Sequence, residues 1–146
     1  MALDIDCLKA ESLGVLRRFF GYSSFLPMQF DVISWLMSGN DCLVLMPTGG
    51  GKSMCYQMPA MLSEGCCIVV SPLLALMKDQ VDALVANGVP AASINSMQSE
   101  AENREILDLV MAGKLKLLYI SPERLLNDLD YWVKRVNISF FAIDEA

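Results

Sequence analysis

The feature that most constrains this chain is a junction at residues 42–53. An apolar run, Cys42-Leu43-Val44-Leu45-Met46, leads directly into Pro47-Thr48-Gly49-Gly50-Gly51-Lys52-Ser53. A short continuous apolar run predicts a buried strand, and a glycine-rich turn with Lys-Ser and then a helix predicts an anion-binding bend. Backbone N–H groups of such a bend converge on phosphate oxygens, and the N-terminus of the following helix adds partial positive charge. Gly49, Gly50 and Gly51 let the backbone wrap closely with no Cβ in the way. Lys52 is placed to reach the β- and γ-phosphates of a nucleotide, and the Ser53 hydroxyl to coordinate Mg²⁺. The strict Gly-x-x-x-x-Gly-Lys-Ser/Thr pattern is not met, because Met46 stands where its first glycine would be; the Gly51-Lys52-Ser53 end is intact.

Around that junction the pattern alternates between helical spacing and short apolar runs, with a turn signal at nearly every switch. Leu13, Leu16 and Phe20 predict a first helix that Gly21 closes. Pro27 suits the start of a second, with Met28, Val32 and Trp35 on one face. A third helix follows Ser53 to about Leu62, and Cys66 to Val70 reads as a buried strand. Ser71 and Pro72 are expected to open a helix whose stripe is Leu73, Leu76, Met77, Val81 and Leu84, ended by Asn87-Gly88. Ala91 to Ile94 is a weak strand. Ser99 to Glu102 fits a capping box, opening a helix with Ile106, Leu109 and Val110 inward and Gly113 as its stop. Leu115 to Ile120 is a further strand, Ser121-Pro122 opens a short helix, and Ser139 to Ile143 is the last strand, delivering Asp144-Glu145 at its carboxyl end. Strands separated regularly by helices imply an α/β fold, a mainly parallel sheet with helices on both faces and ligands at the strands' carboxyl ends. There Asp144 can hold a metal's water shell while Glu145 orients an attacking water.

Composition narrows the chemistry. At 146 residues the expectation is a single domain, since domains usually run about 100–200 residues. The AVILMFWYC set makes up 54% of the chain, which excludes intrinsic disorder. The most apolar charge-free stretch, Gly65 to Met77, is 13 residues with Ser71-Pro72 inside it, short of the roughly 20 a membrane span needs. Asp4, Asp6 and Glu11 stand where a secretory signal would be basic and apolar. A net charge of −6 gives no overall positive field to draw in nucleic acid, leaving only local basic contacts. Histidine is absent, which removes Ser-His-Asp triads and His-ligated zinc. The five cysteines have no Cys-x-x-Cys spacing, and Cys42, Cys66 and Cys67 read as buried thiols in a reducing compartment.

Several segments together resemble RecQ-type DNA helicases. They are Phe20-Gly21-Tyr22 with Phe25 and Gln29, Met46 to Ser53 running into Met54-Cys55-Tyr56-Gln57-Met58-Pro59-Ala60, Val69 to Val81, Ile94-Asn95-Ser96, Tyr119 to Leu125, and Ile143-Asp144-Glu145-Ala146. The resemblance spans residues 13–146 and accounts for Met46, since this family's phosphate loop commonly begins Met-Pro-Thr. It implies a P-loop, RecA-like domain binding ATP and Mg²⁺, in which Pro47, Thr48, Gly49, Gly50, Gly51, Lys52 and Ser53 form the phosphate loop. By the same resemblance Tyr22 stacks on adenine, Gln29 binds its edge, Ser53 and Asp144 hold Mg²⁺, and Glu145 is the catalytic base. Ser71, Lys78 and Arg124 lie in segments that face single-stranded DNA in similar helicases.

The resemblance further implies 3′ to 5′ unwinding of DNA from a single-stranded tail or fork, in the cytoplasm of a bacterium or the nucleus of a eukaryote. Two departures stand out. Leu26 replaces the family's arginine, removing one expected nucleotide contact. The chain stops at Asp-Glu-Ala, so it is expected to be the N-terminal portion of a first RecA-like domain, incomplete at its C-terminus. It should lack a central strand between the 42–46 run and the Asp-Glu strand. It should also lack the second RecA-like domain that supplies arginines for hydrolysis, and so bind ATP at best and not unwind by itself. The alternatives are a non-catalytic nucleotide- or partner-binding module and, less suited to Gln29 and the Ser71 to Gln80 stretch, a small P-loop kinase.

Overall fold

The computed structural model describes residues 3–46 and 51–144. The chain divides into two compact units, Met1–Ser63 and Glu64–Ala146.

The first unit is helical. Asp4 caps α1 (Ile5–Val15) by accepting the Cys7 N–H at 3.1 Å, and a π-helical turn, Leu16–Phe20, continues it to Gly21, which ends the helix at φ 75°. Helices α2 (Gln29–Met37) and α3 (Met54–Leu62) complete the unit. Leu16, Ile33, Met54 and Met58 form its core, with Leu13, Phe20, Phe25, Met37 and Leu62 packed around them. The face expected for α2 is corrected: Val32 is buried, but Met28 and Trp35 are exposed. Met28 lies outside the helix as its cap residue, at φ 74°. The Trp35 indole N–H donates to the Asp41 carbonyl at 2.7 Å, in an exposed bond that satisfies it outside the core. Gln29, Val32 and Ile33 face inward instead.

The second unit is a parallel sheet flanked by helices. Its elements are β1 (Cys66–Val70), α4 (Leu74–Ala86), β2 (Ala91–Ile94), α5 (Glu100–Met111), β3 (Leu117–Ile120), α6 (Pro122–Arg135) and β4 (Ile138–Ile143). The strand order is β2-β3-β1-β4, with every pairing parallel. Alternate residues face opposite ways along a strand. Cys66, Ile68 and Val70 of β1 join Ile94, Leu118 and Ile120 in one cluster with Val110 of α5 and Leu125 and Trp132 of α6. Cys67, Val69, Leu117 and Tyr119 point the other way and are buried too. Met77 and Leu84 of α4 stand outside that cluster, and α4 packs against β2 and β3. Leu109, expected inward on α5, is exposed.

Three local expectations change. Residues 42–46 form no strand: they have no ladder partner among the described residues, and Leu43 and Leu45 are 82% and 83% exposed. A strand's backbone groups need a neighbour, and apolar character alone does not supply one. For the same reason Cys42 is exposed, while Cys66 and Cys67 are buried as expected. The gap expected between the 42–46 run and the Asp-Glu strand is not enclosed by strands: 42–46 forms no strand among the described residues, and β4 pairs with β1 on one side and is an edge of the sheet on the other. Finally, α4 begins at Leu74 with Leu73 as cap residue, two residues later than Pro72; Ser71 Oγ still accepts the Leu73 N–H at 3.4 Å.

Two tests follow from this packing. Gly65 has φ 91°, and an added Cβ would sit 2.6 Å from the Asn137 carbonyl oxygen, the same oxygen that accepts the Cys66 N–H at 2.8 Å. Gly65→Ala should cost about 1–3 kcal/mol in urea unfolding. Gly14→Ala, inside α1 with nothing within 4 Å, should gain about 0.5–1 kcal/mol. Equal effects at the two sites would contradict the assigned backbone. Burial also pushes the Cys55 thiol up to about 11 and Cys66 up to about 12, from an ordinary 9.0. The folded state therefore holds these protons more tightly. Their contribution to stability is complete below pH 9 and should be lost as pH rises from 9 through 12, as alkaline unfolding curves of wild type and Cys66→Ala would show.

Candidate functional site

In the first unit the buried side chain of Gln29, 4% exposed, ties two stretches together. Its Oε1 accepts the Leu26 N–H at 2.7 Å, and its Nε2 donates to the Gly51 carbonyl at 3.0 Å. Gly51 has φ 76°, and a Cβ there would collide with Gln29 Nε2 and lie 3.1 Å from Leu26 Cδ1. Both the conformation and the space demand glycine. Lys52 and Ser53 form the turn into α3, where the Cys55 N–H reaches the Lys52 carbonyl at 3.1 Å and the Gln57 N–H reaches the Ser53 carbonyl at 2.9 Å. Ser53 is the cap residue of α3, and its hydroxyl makes no capping bond. From Met54 to Ala60 the helix is buried, which fixes the base of the turn. Tyr22 is exposed on the loop after Gly21. Pro47, Thr48, Gly49 and Gly50 lie outside the described residues, as does Glu145.

In the second unit, parallel pairing brings every strand's carboxyl end to one edge of the sheet. Val70 is in register with Ile143, so Ser71 and Asp144 follow side by side. The Asp144 N–H donates to the Val70 carbonyl at 2.9 Å, and the Ser71 N–H to the Ile120 carbonyl at 3.1 Å. Both side chains are buried, Asp144 at 7% exposure. A buried carboxylate at a strand end offers hard oxygen ligands of the kind a divalent cation takes. Arg124, in the first turn of α6, reaches Glu100 of α5 at 3.4 Å and Asp128 at 3.8 Å. Lys78 is exposed on α4 and bound to Asp82 at 2.9 Å, an ion pair that raises its pKa. The structure thus joins Gln29 to Gly51 and sets Ser71 beside Asp144, with Lys78 on a helix surface.

Sequence reading passed over a buried polar network at the end of β2. Asn95 Oδ1 accepts the Met97 N–H at 2.9 Å, its Nδ2 donates to Ser93 Oγ at 3.2 Å, and its carbonyl accepts Asn103 Nδ2 at 3.0 Å. The available signal was Asn95 at the end of a strand; nothing marked Asn103 as inward on an otherwise charged helix.

The model of the DEAD/DEAH box helicase family matches residues 26–146. The chain is 48% identical to the ATP-dependent DNA helicase RecQ of Pasteurella multocida over 140 residues, covering 95% of this chain and 22% of that protein. It is 46% identical to the RecQ helicase of Bacillus subtilis, covering 94% of this chain and 23% of that one. It thus spans about a fifth of the length of these curated relatives. Among solved structures, a hypothetical ATP-dependent RNA helicase from Sulfolobus tokodaii superposes with a TM-score of 0.70 at 19% identity, over 91% of this chain and 40% of that one. The helicase Lhr of Mycobacterium smegmatis gives 0.65 at 21% identity, over 94% and 20%. These two show a shared fold.

The Gln29 bridge predicts its own cost of removal. Gln29→Ala leaves the Leu26 N–H and the Gly51 carbonyl without their partner and should destabilise the first unit by about 1–3 kcal/mol, read from urea unfolding. Gln29→Glu, which keeps the acceptor and loses the donor, should fall between wild type and Ala; no loss in either variant would contradict the bridge.

Proposed function

The chain belongs to the DEAD/DEAH box helicase family, and from that premise we propose that it binds Mg²⁺-ATP at the Gly51-Lys52-Ser53 turn and serves an ATP-driven, 3′ to 5′ DNA helicase of RecQ type. In this reading residues 1–146 form the leading part of a RecA-like domain. The observation that carries the reading is the bend at Gly51: a left-handed glycine, braced by Gln29, that passes directly into Lys52, Ser53 and a buried helix.

Each residue then has a stated task. The Lys52 ammonium neutralises charge on the β- and γ-phosphates, and the backbone N–H groups of Thr48 to Gly51, after Pro47, hold the same oxygens. Mg²⁺ supplies charge neutralisation on the phosphates when bound; the Ser53 hydroxyl of the first unit and the Asp144 carboxylate of the second are oxygen ligands of the kind it takes. Glu145 takes the proton of the attacking water. Tyr22 stacks on adenine; Gln29, with one N–H and one lone pair beyond those used on Leu26 and Gly51, meets the base edge. Ser71, Lys78 and Arg124 contact the phosphates of a single DNA strand, Arg124 as a bidentate donor. No helix among the described residues is long and apolar enough to cross a membrane. Unwinding itself belongs to the whole-protein activity named for the much longer relatives.

The test is binding of Mg²⁺-ATP, and its hydrolysis with and without single-stranded DNA, by the wild-type chain and by Lys52→Ala. Loss of one charged phosphate contact should weaken ATP about ten- to a hundredfold in the variant while leaving the melting temperature within a few degrees. Equal affinity for wild type and variant would overturn the reading.

A further inference from the structure

Among the described residues Met28 alone, glycines apart, has a positive φ, 74° with ψ −18°. It stands third in the turn Leu26-Pro27-Met28-Gln29, which the Gln29 N–H closes on the Leu26 carbonyl at 3.1 Å. Proline second and a left-handed residue third make this a type II turn, whose third position calls for glycine. A bulky L-residue there carries backbone strain, and such strain persists where something else selects the side chain. Helix capping does not select it, since the Met28 side chain makes no capping bond. Core packing does not either: Met28 is 57% exposed and stands outside the cluster of Leu16, Ile33, Met54 and Met58. The turn is pinned, because the N–H and C=O of Leu26 are both bound to Gln29 and the Met28 carbonyl accepts the Val32 N–H at 3.1 Å.

What the side chain does is line a pocket. A space of about 300 Å³ opens in the first unit, bounded by α1 and the 23–31 stretch and walled by Leu13, Phe25, Leu26, Met28 and Phe30. An apolar cavity of about 150 Å³ takes benzene, so a pocket of this size has room for a bicyclic purine. Leu26 belongs both to this pocket and to the surroundings of the phosphate turn: its Cδ1 lies 3.1 Å from where a Cβ on Gly51 would be. Tyr22 and Gln29, assigned above to the base, are the chain neighbours of the pocket residues Ser23 and Met28. A thioether suits an aromatic partner, because sulfur is polarisable and the unbranched chain adapts to the ring it meets.

We infer that Met28 is a base-contacting residue of the nucleotide site, its thioether packing with Leu26 against the purine ring, and that the methionine is retained in a glycine position for this contact. The inference rests on the function proposed above, and its test separates the two.

Binding of Mg²⁺-ATP and of inorganic tripolyphosphate is measured by calorimetry on the full chain and on three variants. Met28→Gly relieves the turn and Met28→Ala keeps it strained, so the glycine variant should melt a few degrees above the alanine one. Both lose the thioether, and both should bind ATP about five- to tenfold more weakly than wild type. Met28→Leu, which keeps the apolar bulk, should bind ATP within about twofold of wild type. Tripolyphosphate has no base and should bind all four chains alike. ATP affinity equal to wild type in the glycine and alanine variants would overturn the inference. So would affinity that follows stability, with Met28→Gly binding as wild type and Met28→Ala alone weakened, because the turn and not the thioether would then be what the site needs. A matching loss of tripolyphosphate would overturn it by placing the effect at the phosphates. A wild-type chain that binds no ATP would remove the proposed function and this inference with it, whereas normal ATP binding by every variant removes the inference alone.

Discussion

The candidate nucleotide site depends on one amide. Gln29 lies at the start of α2, takes the N–H of Leu26 on one side and gives its own N–H to Gly51 on the other. A buried primary amide with both ends engaged is costly to misplace, because any shift orphans a donor or an acceptor. This fixes the distance between the loop that carries Tyr22 and Leu26 and the turn that carries Lys52 and Ser53. In the proposed reading the loop meets the base and the turn the phosphates, and a set spacing between them suits a ligand with a base at one end and phosphates at the other. The glycine at 51 is required twice over, once by its left-handed backbone and once by the amide packed against it.

The second unit solves a different problem. Parallel strands need crossovers, and with helices carrying them β1 and β3 are buried along their whole length, while β4 stays partly exposed. Ser71, Asn95 and Asp144 each stand just beyond a strand at the carboxyl edge, and each is nonetheless buried. Backbone pairing continues past β1 and β4 through the Ser71 and Asp144 N–H groups, which holds these two side chains in register more tightly than a loop would. The sheet's own hydrogen bonds thus fix the positions of Ser71 and Asp144 at this edge.

Much of this was legible in the sequence. The β1, β2, β3 and β4 runs, the Ser99 capping box and the glycine stops at Gly21 and Gly113 follow from periodicity and backbone chemistry that act over a few residues. Ser99 Oγ accepts the Glu102 N–H at 3.1 Å, as that pattern requires. What failed depended on partners. Cys42 to Met46 has the composition of a strand and no ladder partner among the described residues, so it forms no strand and leaves Leu43 and Leu45 exposed. Trp35 looked like a core residue until its indole found Asp41. The double engagement of Gln29 and the inward turn of Asn103 are tertiary facts with no local signature, since a glutamine or asparagine in a helix is ordinarily a surface residue.

The most direct measurement is a crystal structure with Mg²⁺ and a hydrolysis-resistant ATP analogue. The account predicts triphosphate oxygens against the 47–53 turn within reach of Lys52, with the adenine on the Tyr22 and Gln29 side. A well-ordered protein that binds the analogue elsewhere, or leaves that turn bare at saturating concentration, would contradict it.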